Sequence, residues 1–202
     1  MAHSASRSAY HKSKMSPQLF TGKLTRLVAY DPDRAAELHA QWYRDSEFSR
    51  NYDFPPVRPR DAKRTQERFR QHAAQLNPDS ISFQIQALDS EQIIGECELE
   101  RMRESLHDAY VSIGIGERAY WGRGFGTDAM RLMLAFGFNE WNLHRITLSV
   151  FGYNARAIRS YEKAGFVMEG RMRQRLKRDG KRWDDVTMGF LRADWEQASR
   201  AL

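Results

Sequence analysis

The chain has 202 residues, of which 41% are hydrophobic, 12% aromatic and 29% charged, enough packing side chains for a buried core and too many for a disordered chain. No apolar run approaches the roughly 20 residues that span a bilayer, which argues against a membrane-spanning chain. The lone Cys97 excludes an internal disulfide and a Cys-rich zinc site, and fits a reducing, cytoplasmic setting. The histidines are scattered without ligand spacing, so no metal site is expected. The net charge of +6 is concentrated in residues 1–14 and in residues 171–182, where seven basic side chains face only Asp179. The remainder is mildly acidic, which does not describe a general nucleic-acid surface.

In chain order, residues 1–16 are rich in Ser, His and basic side chains, lack periodicity and precede a second methionine at Met15. They read as a disordered arm or an expression remnant ahead of a single domain over 17–202. Thr21–Tyr30 is expected to be a strand. Asp31-Pro32-Asp33 is a helix start, for a helix reaching about Arg44. Pro55, Pro56 and Pro59 make Asn51–Arg60 a loop, and Asp61–Leu76 is a charged helix. Strands are expected at Ser82–Leu88, Gln92–Glu100 and Ala109–Ile115. After Gly126, Ala129, Leu132, Met133 and Phe136 recur at helical spacing and predict one buried face. Arg145–Phe151 alternates as a strand, and Asn154–Ala164 is a short helix capped by Gly165. Phe166–Lys177 and Trp183–Leu191 follow as a hairpin about Arg178-Asp179-Gly180. Alternation of strands and helices without a repeat or linker indicates a mixed α/β fold.

The most informative segment runs from Ile113-Gly114-Ile115 through Trp121-Gly122-Arg123-Gly124-Phe125-Gly126-Thr127 into a helix. Such a turn presents clustered main-chain N–H groups, and glycine lets an anion approach without a Cβ clash. The mononucleotide pattern with its Lys-[Ser/Thr] is absent. The dinucleotide pattern fails because Thr127 occupies its sixth place. Gly124 and Gly126 do satisfy the G-x-G turn of coenzyme A acyltransferases. A turn that only joins strand to helix would also accept these glycines.

The second segment, Asn154-Ala155-Arg156-Ala157-Ile158-Arg159-Ser160-Tyr161-Glu162-Lys163-Ala164-Gly165-Phe166, carries the pattern N-x-x-A-x-x-x-Y-E-K-x-G-F. Together the two segments resemble the GNAT-type N-acetyltransferases, with Gly180, Asp184 and Met188 matching a closing pattern, over about Leu24 to Trp195. The branch most similar holds the Rim-type ribosomal-protein N-terminal and spermidine acetyltransferases. The resemblance implies a mostly antiparallel central sheet flanked by helices, with the strand before the acetyl-CoA turn splayed. It further implies that main-chain N–H groups of Arg123, Gly124, Phe125, Gly126 and Thr127 hold the pyrophosphate of acetyl-CoA. By the same resemblance, Ile113, Gly114 and Ile115 pair with the pantetheine, and Tyr161 is the general acid for the leaving thiolate. Trp121 departs from the family's usual Gln or Arg and removes one side-chain donor.

Asn154 would bond the pantetheine or cap its helix. Arg156, Arg159 and Lys163 share one helix face and would meet the 3′-phosphate or remain solvated. Glu96, Glu98 and Glu100 share one strand face by alternation. Glu98 falls where the spermidine acetyltransferases carry an acidic substrate contact, and it is the candidate base. The alternative is an exposed face neutralised by Arg101 and Arg103, with His107 and Asp108 as further base candidates. Trp42, Tyr43, Phe48, Tyr52 and Phe54 read either as an acceptor lid or as core.

The implied reaction is acetyl transfer from acetyl-CoA to a primary amine in a ternary complex, with a peptide N-terminus ahead of a polyamine as acceptor. A homodimer would suit the family. Two readings of other classes are a nucleic-acid module, in which Arg171, Arg173, Arg175 and Lys177 line one face of a strand, and a non-catalytic CoA sensor.

Overall fold

The computed structural model describes residues 18–75, 77–103 and 105–200; the arm expected at residues 1–16 lies outside them. The elements are β1 (Thr25–Ala29), α1 (Pro32–Trp42), α2 (Ser46–Tyr52), α3 (Ala62–Ala74), β2 (Ser80–Ala87), β3 (Ile93–Met102), β4 (Ser105–Ile115), α4 (Phe125–Asn139), β5 (Arg145–Phe151), α5 (Ala155–Ala164), β6 (Val167–Arg178), β7 (Lys181–Leu191) and α6 (Arg192–Arg200). The first three helices each begin at an aspartate whose carboxylate accepts main-chain N–H bonds of the first turn: Asp31, Asp45 and Asp61. This N-cap chemistry is why the charged α3 starts where the sequence indicates.

One seven-stranded sheet runs in the order β1-β2-β3-β4-β5-β7-β6. All pairings are antiparallel except β4 with β5. That parallel pairing covers only Asp108 with Arg145, Ala109 with Ile146 and Tyr110 with Thr147. Past Tyr110 the two strands separate, while β4 stays paired to β3 as far as Ile115 with Gly95. The expected splay is therefore a property of the register, and it leaves one edge of β4 open over its last five residues, Val111–Ile115.

On one face α4 packs over the main core, with Ala129, Met130, Met133 and Leu134 fully buried beside Leu99, Ala109 and Ile146. A single buried face was expected of this helix. It is instead buried nearly all round, because α5 covers its flank and β1 meets it as well. On the other face α1 and α3 pack together, and Leu38, Trp42, Tyr43 and Phe48 form a second, smaller core.

Three other expectations change. Ahead of β1, Thr21 makes only an isolated bridge to Arg26 and Gly22–Leu24 is not strand, because Gly22 N–H bonds to Thr25 O and the N–H groups of Lys23, Leu24 and Thr25 all donate to the Asp128 carboxylate. The helices α2 and α6 have no counterpart in the sequence reading. The basic residues of β6 do not form one row: its pairing with β7 slips between Met172 and Leu176, and Gln174 adopts φ 53°. At that bulge Arg175 turns to the buried Asp185 at 2.7 Å, and Arg178 donates to the carbonyl of Asp53 at 2.7 Å. The bulge takes Arg173 and Arg175 out of the ladder that holds Arg171 and Lys177, although all four side chains remain exposed.

Candidate active site

The glycine turn enters α4 through two left-handed residues, Gly122 at φ 71° and Gly124 at φ 95°, a conformation costly for any side chain with a Cβ. Gly124 is the N-cap of α4 and no side chain caps it. The first helical bond runs from Asp128 N–H to Gly124 O, so the N–H groups of Phe125, Gly126 and Thr127 have no partner within the helix. They point out of a helix N-terminus, where the dipole favours an anion.

Trp121 takes a different part from the side-chain donor it replaces. Its indole N–H donates to Ile115 O at 2.6 Å, joining the turn to the end of the splayed strand. The Arg156 guanidinium lies 3.8 Å from the ring centroid and 3.5 Å from Glu47. Burial lowers the pKa of Arg156, with Glu47 acting the other way.

A groove of about 700 Å³ opens between these elements. Its walls are the end of β4 (Ile113, Gly114, Ile115), the turn (Gly124, Gly126, Thr127) and α5 (Asn154, Arg156, Arg159, Tyr161). Arg123 and Phe125 stand outside it: Arg123 folds back onto Ala119 O, and Phe125 is buried edge-on to Tyr120. An apolar ring at the first helical position is drawn into the core, so only the main chain of these two is left for a ligand. Asn154 caps α5 through Ala157 N–H at 3.1 Å and also lines the groove. Lys163 closes the basic end with Lys23 and Arg131. Tyr161 packs on the main core and borders the groove, and burial pushes its phenol pKa up, with Tyr110 adding to the shift.

Glu98 is not in this groove. It lines a second cavity of about 350 Å³ between α1, α3 and the sheet, where Ser80 Oγ donates to it at 2.5 Å. Its neighbour Glu96 is the more heavily bound carboxylate: Oε1 receives His39 Nε2 at 2.7 Å and Tyr52 Oη at 2.6 Å. Burial would raise the pKa of Glu96, but the bonds from His39 and Tyr52 and the field of Arg60 hold it below the usual carboxylate range. Glu100 is exposed. Arg101 does not neutralise this face, since its guanidinium lies over the Trp141 ring at 4.6 Å.

Tyr52 borders both cavities. Its ring lies against Gly114, where a Cβ would come within 2.4 Å of Cε2, so glycine at that point of β4 is what admits the ring. Sequence reasoning listed Tyr52 only among aromatics and missed the partnership of His39 with Glu96. The available signal was a polar His39 in the apolar stripe of α1 with Ala35, Ala36 and Trp42. Of the proposed lid, Trp42, Tyr43 and Phe48 are buried core, and only Phe54 is largely exposed, edge-on to Phe151. His107 and Asp108 sit at the other end of β4, on the order of 20 Å from Gly114, and line neither cavity. Cys97 is buried in the core, where burial and the nearby glutamates push its thiol pKa well up.

Residues 25–167 match the family model described as the acetyltransferase (GNAT) domain. The chain therefore belongs to the GNAT family, and it is an N-acetyltransferase. It is 32% identical over 132 residues to the probable N-acetyltransferase YjcK of Bacillus subtilis (strain 168), covering 64% of this chain and 72% of that protein. It is 24% identical over 178 residues to the uncharacterized N-acetyltransferase p20 of Bacillus licheniformis, covering 88% and 97% of the two chains. Among solved structures, the spermidine N-acetyltransferase from Vibrio cholerae in complex with CoA and spermine superposes with a TM-score of 0.73 at 22% identity, over 85% of this chain and 98% of that one. A GNAT-family acetyltransferase from Bacillus anthracis gives 0.70 at 17% identity, over 85% and 97%. At these identities the structural likeness speaks for the fold. Among the described residues no helix is long and apolar enough to cross a membrane.

Proposed function

We propose that residues 17–202 act as one cytoplasmic domain that transfers the acetyl group of acetyl-CoA to a primary amine by direct attack in a ternary complex. A peptide N-terminus is the first acceptor class. One observation carries this reading: the unbonded N–H groups at the start of α4, the open edge of β4 and the Tyr161 side chain border the same groove.

Bound acetyl-CoA supplies the activated acyl group, and the residues of this chain bind, orient and move protons around it. The N–H groups of Gly124–Thr127 hold the diphosphate, and Arg159 with Lys163 meets the outlying phosphate. The main-chain edge of Ile113–Ile115 that β5 leaves unpaired, with Ile115 O already taken by Trp121, aligns the pantetheine arm. Tyr161 gives its proton to the departing sulfur as the C–S bond breaks; burial raises its pKa and so keeps the phenol protonated at neutral pH.

The amine arrives mostly protonated, a deficit at pH 7 of about 1 kcal/mol for a peptide α-amino group of pKa near 8 and about 4 kcal/mol for an alkylamine of pKa near 10. Glu98 serves on this side, holding the ammonium and accepting its proton. Glu96 is already engaged by His39 and Tyr52, whereas Glu98 has only a neutral hydroxyl. A polyamine, the second acceptor class, would place its reacting ammonium against Glu98 in the same way.

Thiol release from acetyl-CoA, measured across amines that include spermidine and a peptide with an N-terminal Ser or Ala, tests the proposal. Absence of release with every amine, together with no calorimetric binding of acetyl-CoA, would defeat it.

A further inference from the structure

The second cavity is not uniformly acidic. Its floor is β3, where Glu96 and Glu98 sit two residues apart on one face, on the order of 7 Å from each other. Its rim is α3, where Arg68 and His72 stand at i and i+4, one above the other along the helix. Arg60 also reaches the cavity, but its charge is taken up: it bonds Asp53 and Tyr43 Oη and lies 3.7 Å from the Tyr43 ring centroid. Arg70, two residues beyond Arg68, is bound bidentately by Asp33. Among the described residues no carboxylate pairs with Arg68; its nearest ring is that of Phe69, at 5.2 Å. Tyr30, on the wall, has its phenol pKa raised chiefly by burial, with Glu96 and Glu98 adding to the shift and Arg68 opposing it. One further polar atom is unsatisfied there, the buried Nδ1 of His39.

We propose that this cavity selects a bipolar acceptor: a primary amine whose ammonium lies against Glu98 and which carries an anionic group, a few bonds away, against Arg68 and His72. The inference rests on the reading of this cavity as the acceptor site and names the substrate class within it. A cavity of about 350 Å³ is at the small end of ligand pockets. An acceptor held there brings its second functional group within range of the rim. A polyamine would bring a second ammonium to an unpaired guanidinium, a like-charge contact that discriminates against it. An amino acid and a peptide whose N-terminal residue precedes an acidic one share the required chemistry.

The test is thiol release by the full chain at saturating acetyl-CoA with five acceptors. Three are amidated peptides beginning Ser-Asp, Ser-Ala and Ser-Lys on a common remainder; the others are free aspartate and spermidine. The expected result is kcat/KM at least about tenfold higher for Ser-Asp than for Ser-Lys, equivalent to about 1.4 kcal/mol, with spermidine poorest. Aspartate above or below the Ser-Asp peptide tells a free amino acid from a chain terminus, and either order supports the bipolar class. Arg68→Glu, an exposed helix substitution, should reverse the order of the peptides and leave the acetyl-CoA KM unchanged. His72→Glu should act in the same direction more weakly. Preference for spermidine or Ser-Lys, or an order unmoved by both variants, overturns the inference; if Glu98→Gln still raises acceptor KM, the acceptor-site reading survives that outcome. If Glu98→Gln leaves every acceptor KM unchanged, the cavity is not the acceptor site and both fall.

Discussion

Trp121 and Ile115 are joined by a 2.6 Å bond from the indole N–H to the main-chain oxygen, which pins the glycine turn to the last residue of the splayed strand. The two groove walls that meet acetyl-CoA in our reading are thus held in register by one side chain. Trp121→Phe keeps a ring beneath Arg156 and removes the bond. The expected outcome is a loss of about 1 kcal/mol in urea unfolding, with a several-fold rise in acetyl-CoA KM and no change in acceptor KM. Equal effects on both substrates would show that the bond does not act on the cofactor wall.

Gly124 combines φ 95° with a position at the mouth of the α4 N-terminus. Gly124→Ala forces a Cβ into the left-handed region at a cost of about 1–2 kcal/mol. It also places that Cβ 3.3 Å from Leu24 Cδ1. Calorimetry should record weaker acetyl-CoA binding, by tenfold or more if the turn shifts. Undiminished affinity in a folded variant would remove the turn from the binding site.

Asp128, buried in the first turn of α4, accepts from Lys23, Leu24 and Thr25 N–H and from Thr25 Oγ1, at 2.8 to 3.1 Å. Asp128→Ala leaves buried donors without partners and should cost about 3 kcal/mol. Because Lys23 and Leu24 also border the groove, acetyl-CoA affinity should fall with stability. Guanidinium unfolding and cofactor titration on the same sample measure both.

Tyr161→Phe preserves the packing against Phe166 and deletes the proton donor. The expected drop in kcat is about 10²- to 10⁴-fold with acetyl-CoA affinity retained. A variant that turns over normally would assign Tyr161 to the core alone.

The buried contact between α1 and β3 gives stability a pH dependence of definite sign. Glu96 has its pKa lowered in the fold from an ordinary value of 4.5, through His39, Tyr52 and Arg60 acting against burial. Its stabilising contribution is therefore fully present above that ordinary value and is lost as pH falls through the lower, folded one. Urea midpoints followed from neutral pH into acid should show this decline. Glu96→Gln should flatten that part of the profile, and an unchanged profile would contradict the coupling.

Much of this was written locally. The caps at Asp31, Asp61 and Asn154, the glycine turn and the boundaries of β5 and α5 each depend on residues within a few positions of one another, so chain order alone determined them. The groove residues of β4, α4 and α5 were legible for the same reason, each lying in a short motif. Tertiary structure decided which of two alternating glutamates is consumed by partners. His39 and Glu96 are 57 positions apart, and only the packing of α1 on the sheet brings them to 2.7 Å. It also decided that the β6 basic residues do not align, since a bulge depends on the register of the partner strand and not on the composition of β6. Local preference acts over a turn or a strand, whereas burial and charge pairing are settled by which surfaces meet when the chain collapses, and the sequence of any one element does not contain that information.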